Sequence, residues 1–183
     1  MPNSLEVRPG YAPFGKINWV RFRHWGVNGE LLMEQVVKNN RTNMGALWEM
    51  NTCFGTVSDG TVQQIGLSGT ICTPTGTETA MLGEMFGTMG FQRAAGTRQN
   101  YVAPTALNGT FTIDIFNEFL HTGTGTAIGI GMAGLFNKAG SWAGGTGSVC
   151  APVGTFYAFA TFTQGPATLN VGEKLDVTWT VSS

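Results

Sequence analysis

The stretch EKLDVTWTVSS (residues 173–183) alternates between nonpolar and polar side chains more regularly than any other part of the chain. Leu175, Val177, Trp179 and Val181 occupy one set of alternate positions, and charged or hydroxyl side chains fill the other. A period of two places the nonpolar set on one face of a β-strand. Burial of each such side chain contributes about 1.5–3 kcal/mol before conformational entropy is counted. The stretch predicts a strand with one face in a hydrophobic core.

Further strands are predicted upstream of this one. INWVRFRHW (residues 17–25) and ELLMEQVV (residues 30–37) flank Asn28-Gly29, a dipeptide that favours a hairpin because both residues tolerate positive φ. Four more stretches have β patterns: VQQIGLSGTIC (62–72), GTFTIDIFNEF (109–119), TAIGIGMAGLF (126–136) and TFYAFATF (155–162). Short strands without regular helices between them favour a sandwich over a doubly wound sheet.

One or two short helices are expected between the strands. Asn43 could cap a helix that places Met44, Leu47 and Trp48 on one face. A methionine-rich stretch (residues 77–93) also has helical spacing, but its glycines weaken a helix there. The predicted fold is therefore mainly β, an antiparallel β-sandwich or jelly-roll-like arrangement, in a single domain that spans residues 1–183.

Charged residues make up only 11% of the 183 residues, against about 25% in an average soluble domain, and the net charge is −1. No basic stripe is present that could neutralise phosphates, so we expect no nucleic-acid partner. No run of eighteen nonpolar residues and no signal-peptide pattern is present, so we expect neither a membrane span nor export by that route. A chain with few charges suits a protein packed against others, including a homo-oligomer.

The glycine pattern GIGMAG (residues 129–134) has the spacing of a dinucleotide-binding turn. Such a turn must open a helix and needs an acidic residue about 20 positions later. Here a glycine-rich stretch follows, and neither Asp nor Glu occurs between Glu118 and Glu173. GYAPFGKI (residues 10–17) resembles a phosphate-binding loop, but Ile17 replaces the hydroxyl residue that would bind magnesium. We therefore expect a strand at GIGMAG, and no cofactor.

No catalytic or metal-binding pattern is evident elsewhere. Cys53, Cys72 and Cys150 have no zinc-site spacing and are either buried thiols or one disulfide with a thiol left over. His24 and His121 are far apart in sequence and lie in no metalloprotease pattern. We predict that the protein is not an enzyme and that it has no metal site.

The second half of the chain contains the stretches MAGLFN (residues 132–137) and YAFATFTQGPATLNVGEKLDVTWTVSS (residues 157–183). Their AGLFN, ATF and VTWT elements resemble those of a family of tailed-bacteriophage virion proteins. The strong part covers residues 129–183. A weaker likeness reaches back to residue 36 through VVKNNRTNMGALWEM, VQQIGLSGT, TETAMLGEM and QRAAGT. Met132 stands where the family usually has Glu, and the loop of residues 138–153 is long.

The resemblance implies a non-enzymatic structural part of a tailed phage particle, located in the virion. A capsid decoration or cement protein is the first hypothesis, because the chain lacks the long repeats of a trimeric fibre. A neck, collar or tail-fibre component is the alternative. A carbohydrate-binding module that stacks sugars on exposed Trp or Tyr is a third possibility. The implied partners are other virion proteins, either the major capsid protein or neck and tail proteins.

The segment of residues 1–25 lies outside the strong resemblance and is a candidate N-terminal arm or contact segment. Aromatic residues and Arg are enriched in the cores of protein interfaces. The predicted interface consists of five aromatic residues: Tyr11, Phe14, Trp19, Phe22 and Trp25. Each of them could instead fill the protein's own core.

Overall fold

The computed structural model describes residues 16–41, 62–71, 73–74, 81–85, 89–102, 112–137 and 156–182. Within these ranges the chain forms twelve β-strands and no helix. Every pairing between the strands is antiparallel. The prediction of a mainly β, sandwich-like fold is confirmed. The helix expected after Asn43 lies outside the described residues, and so do all three cysteines.

The first sheet has five strands in the order β2-β1-β12-β7-β6. Their bounds are β1 Lys16–Trp25, β2 Leu31–Lys38, β6 Thr97–Val102, β7 Thr112–Leu120 and β12 Lys174–Ser182. The first and last strands lie side by side, with Val20 opposite Trp179. Such non-sequential neighbours are typical of Greek-key connections rather than of a simple meander.

The second sheet also has five strands, in the order β3-β10-β9-β4-β5. Their bounds are β3 Asn40–Arg41, β4 Gln64–Ser68, β5 Ala94–Ala95, β9 Met132–Phe136 and β10 Phe156–Thr161. A separate pair joins β8 Ile128–Ile130 to β11 Ala167–Leu169. The chain passes from the first sheet to the second at Asn39, between β2 and β3.

The hydrophobic core lies between the two five-stranded sheets. It contains Phe22 and Trp179 from the first sheet and Leu67 and Leu135 from the second, all fully buried. The ring of Phe22 stacks on that of Phe162, just after β10, with 4.2 Å between centroids. The sheets therefore pack face to face, as in a β-sandwich.

The alternation predicted for the last strand is confirmed. Leu175, Val177 and Trp179 are fully buried, and Val181 packs partly buried against the same cluster. The hairpin predicted at Asn28-Gly29 also forms between β1 and β2, and Gly29 has φ +82°. A positive φ of this size strains residues that have a Cβ, which explains glycine at this turn.

Two of the predicted strands are shorter than expected. TAIGIGMAGLF divides into β8 and β9 around Gly131, whose N–H donates to the carbonyl of Ser68 at 2.9 Å. The side chain of Ile71 occupies the space where a Cβ on Gly131 would lie, which explains glycine at this position. The strands on either side of Gly131 belong to different sheets. VQQIGLSGTIC is a strand only over Gln64–Ser68, and Gly69 begins a bend.

A second, smaller cluster covers the opposite side of the second sheet from the core. It is formed by Met81, Met132, Phe136, Phe156 and Phe159. A Cβ on Gly134 would lie 2.7 Å from the ring of Phe156 and 2.8 Å from the sulfur of Met81. Within GIGMAG, glycine at 134 thus allows close packing of neighbouring side chains on a strand, as the sequence predicts.

Candidate interaction surface

The solvent-facing side of the first sheet is hereafter called the outer face. Along strand β1, side chains point alternately into the sandwich and towards solvent, and Val20, Phe22 and His24 are the buried ones. The side chains at the positions between them point outward, together with those opposite them on β2. The outer face on these two strands consists of Trp19, Arg21, Arg23, Trp25, Glu34, Val36 and Lys38.

The structure separates the five predicted interface residues. Tyr11 and Phe14 lie outside the described residues. Trp19 is 45% exposed and lies on the outer face. Trp25 is half-buried at the end of the same row. Phe22 is 0% exposed and belongs to the core, so its prediction as an interface residue is wrong.

The prediction of an N-terminal arm needs the same kind of correction. Lys16–Trp25 is strand β1, which is hydrogen-bonded to β12 on one side and to β2 on the other. This part of the 1–25 segment is thus an interior strand of the first sheet. The rest of the segment lies outside the described residues.

Ion pairs on the outer face link neighbouring strands. The Nε atoms of Arg21 and Arg23 each lie 3.2 Å from Oε1 of Glu34. Nζ of Lys174 lies 3.1 Å from Oε1 of Glu118. All five side chains are more than one-third exposed, so each pair contributes only about 0–1 kcal/mol. Their arrangement sets the charge pattern of the surface more than its stability.

Trp25 is held in place by Asp176. The indole Nε1–H donates to Oδ2 of Asp176 at 2.8 Å, while Oδ1 of Asp176 is buried and has no partner among the described residues. Burial raises the pKa of Asp176 above its usual range, and the hydrogen bond from Trp25 opposes this shift. The nearby carboxylate of Glu118 raises the pKa further. The charged form of Asp176 is therefore disfavoured by the fold.

A shallow depression lies at the hairpin end of the outer face. Its volume is about 340 Å³, and its walls include Trp25, Val27, Gly172 and the Glu118–Lys174 pair. The carboxylate of Glu118 and the ammonium group of Lys174 in this wall are paired with each other.

Both histidines of the chain lie near the turn between β11 and β12, although they are far apart in sequence. Nε2 of His24 is 2.8 Å from Oε2 of Glu173, and the backbone N–H of His121 donates to the carbonyl of Glu173. Burial alone would raise the pKa of Glu173, but hydrogen bonds from Asn170 and His24 hold this pKa below its usual range. In the described part of the chain, His24 is hydrogen-bonded to Glu173 and to no hydroxyl or thiol. The His24–Glu173 hydrogen bond thus connects β1 to the turn that precedes β12.

An ion pair with almost no solvent exposure lies beside the smaller cluster. Arg93 donates from Nε and Nη2 to the two carboxylate oxygens of Glu84 at 2.7 and 2.8 Å. Its guanidinium lies 3.5 Å from the centroid of the Phe136 ring. Only 1–2% of either side chain is exposed, so neither is accessible to a ligand. Glu84 and Arg93 are nine positions apart, and no local sequence pattern predicts that they form an ion pair.

Among the described residues, no group of three or more His, Cys, Asp and Glu side chains could hold a metal ion. The same residues include no helix long and nonpolar enough to span a membrane. No family model, no curated protein and no solved structure matches the chain.

Proposed function

We propose that the protein is a non-enzymatic structural component of a tailed phage particle, and specifically a decoration or cement protein of the capsid. The observation that carries the proposal is the outer face, where Trp19 and Val36 are 45% and 50% exposed on a regular β-sheet. Exposed aromatic and nonpolar side chains surrounded by Arg and Glu have the composition of a protein interface. The resemblance of residues 129–183 to virion proteins suggests that the partner is another protein of the virion.

A sandwich of this kind is suited to an architectural role for physical reasons. Its main-chain hydrogen bonds hold the outer-face side chains at fixed spacings, so little conformational entropy is lost when they bind. The low overall charge also limits repulsion between closely packed copies. A neck, collar or tail-fibre component would use the same properties, and it remains the alternative.

The first experiment is a count of copies per particle. Purified particles of the phage that encodes the chain are digested, and the protein is quantified by mass spectrometry against the major capsid protein. Hundreds of copies support decoration of the head lattice. About a dozen copies, as in a ring around one axis, support the neck or tail alternative. Absence from the particle contradicts both.

A second experiment tests the outer face directly. Particles that lack the protein are mixed with purified chain, and occupancy is measured for Trp19→Ala beside Tyr101→Ala. Tyr101 is a matched control because it is an exposed aromatic residue on β6, at the opposite edge of the sheet. We expect the Trp19 substitution to reduce occupancy at least about tenfold, as for an interface hot spot, and the control to leave it unchanged. Equal occupancy for both would contradict this choice of surface. Binding to a glycan array without binding to particles would favour a carbohydrate-binding module instead.

A further inference from the structure

The edges of the two five-stranded sheets differ in how open they are to pairing with another strand. In the described part of the second sheet, the edge strand β5 has two residues, and the edge strand β3 is described only over Asn40–Arg41. In the first sheet, the edge strand β6 is irregular, because its register shifts between Gln99 and Val102 and Asn100 has φ +50°. Among the strands that the structure describes, the other edge is β2, which has eight residues and pairs regularly with β1 from Met33 to Lys38. Short or bulged edges resist pairing, whereas a long regular edge permits it.

Strand β2 is also firmly attached to the sandwich. Gln35 points inward, and its Oε1 accepts the backbone N–H of Thr163 at 3.1 Å, in the turn that follows β10. The next inward residue, Val37, is buried in the core. These contacts hold β2 in place, and its pairing with β1 keeps it in the extended conformation that an added strand requires. Its outward side chains Glu34, Val36 and Lys38 are all exposed.

We propose that β2 is a homodimerisation strand, which pairs antiparallel with β2 of a second copy across a two-fold axis at Val36. The two first sheets then form one continuous sheet. In an antiparallel pair, residues directly opposite each other point to the same face. A two-fold axis perpendicular to the sheet therefore keeps both outer faces on one side. Such an axis must place one residue of β2 directly opposite the same residue of the second copy, and this residue defines the axis position.

The charges on β2 select the axis position. With the axis at Val36, Glu34 of each copy lies opposite Lys38 of the other, and the two Val36 side chains meet. With the axis at Glu34, two carboxylates would face each other. With the axis at Gln35, Glu34 would lie opposite Val36 and gain no partner. Only the Val36 axis makes the strand complementary to itself, as an isologous interface requires.

The test uses two single charge reversals, Glu34→Lys and Lys38→Glu, analysed by sedimentation velocity. Each variant alone places like charges opposite each other at both pairs. When the two variants are mixed, every pair becomes complementary again. We expect the wild-type chain to dimerise, each single variant to dimerise about tenfold more weakly, and the mixture to form heterodimers with nearly wild-type affinity.

Two further variants complete the experiment. Arg98→Glu makes the same change of charge on the opposite edge strand β6 and should leave dimerisation unchanged. The double variant Glu34→Lys/Lys38→Glu should dimerise as a homodimer, although it lacks the contacts of Glu34 with Arg21 and Arg23. Circular dichroism establishes that each variant is folded. A monomeric wild-type chain, or single variants that the mixture does not rescue, would overturn the proposal. Neither outcome bears on whether the protein is found in a phage particle.

Discussion

Trp179 lies at the centre of the first sheet and provides a quantitative test of the fold. It is 0% exposed, on β12, with Val20 on one neighbouring strand and Ile115 on the other. Replacement by Ala removes the whole indole from a site enclosed by both sheets. Truncation of a buried aromatic residue to Ala costs about 3–5 kcal/mol, which combines lost burial with the cavity left behind. For a chain of this size, a loss of that kind lowers the Tm by about 6–20 °C.

The indole nitrogen makes the prediction more specific. Nε1 of Trp179 is buried and has no hydrogen-bond partner among the described residues. A buried N–H that loses contact with water and gains no new partner costs about 1–3 kcal/mol. Trp179→Phe keeps most of the nonpolar volume and removes this unpaired group. We expect Phe to cost less than about 1.5 kcal/mol, clearly less than Ala.

The assay is urea unfolding followed by circular dichroism at one protein concentration, so that any self-association affects all variants equally. Trp19→Ala is the control, because its side chain is 45% exposed and its removal should lower the free energy of unfolding clearly less than removal of Trp179 does. A loss below about 1 kcal/mol for Trp179→Ala would show that this face of β12 is not the core. A Phe variant as unstable as the Ala variant would mean that the indole N–H has a partner.

Three further predictions concern particular side chains. Gly134→Ala should destabilise the fold by about 1–3 kcal/mol, because the new Cβ would lie 2.7 Å from a neighbouring ring, whereas Gly129→Ala, with its nearest atom at 3.8 Å, should be tolerated in the same unfolding assay. Glu84→Gln should cost about 3–5 kcal/mol, because it removes the charge of a buried carboxylate that both Nε and Nη2 of Arg93 bind; a loss below about 1 kcal/mol would contradict the burial of this pair. Asp176→Asn should raise the Tm at neutral pH, because folding raises the pKa of the Asp176 carboxyl. Such a group lowers stability as pH rises from its unfolded pKa, 3.8, through the folded value. The gain in Tm should vanish in scans below the unfolded pKa, and an equal gain at all pH values would refute this cause.

Local patterns predicted the strands well because strand formation depends mainly on the alternation of neighbouring side chains. The predicted strand of residues 17–25 corresponds to β1 at Lys16–Trp25, and the final strand begins at Lys174, one residue after the predicted start. The pairing of these strands could not be predicted in the same way. Lys16 lies opposite Ser182, and no local pattern encodes which distant strands become neighbours.

The misassigned Phe22 shows what the sequence analysis overlooked. Aromatic residues occur on both faces of β1, so composition alone placed all of them in an interface. Arg21 and Arg23 mark the solvent side, because an exposed guanidinium is far less costly than a buried one. The residue between them must then face the core. Strict alternation from these two arginines would have separated Phe22 from Trp19.

The proposed dimer and the proposed location in the particle constrain each other through symmetry. Two copies joined at β2 form a closed, isologous pair, whereas a ring around the neck or tail repeats by rotation and needs heterologous contacts. A head lattice contains two-fold axes, which have the symmetry of such a pair. The paired outer faces would also bind with both copies at once, which strengthens attachment without any new contact. Dimerisation through Val36 would therefore favour capsid decoration over the neck alternative. If the protein instead pairs through β2 and is present at about a dozen copies per particle, it would need a second, heterologous surface to build the ring.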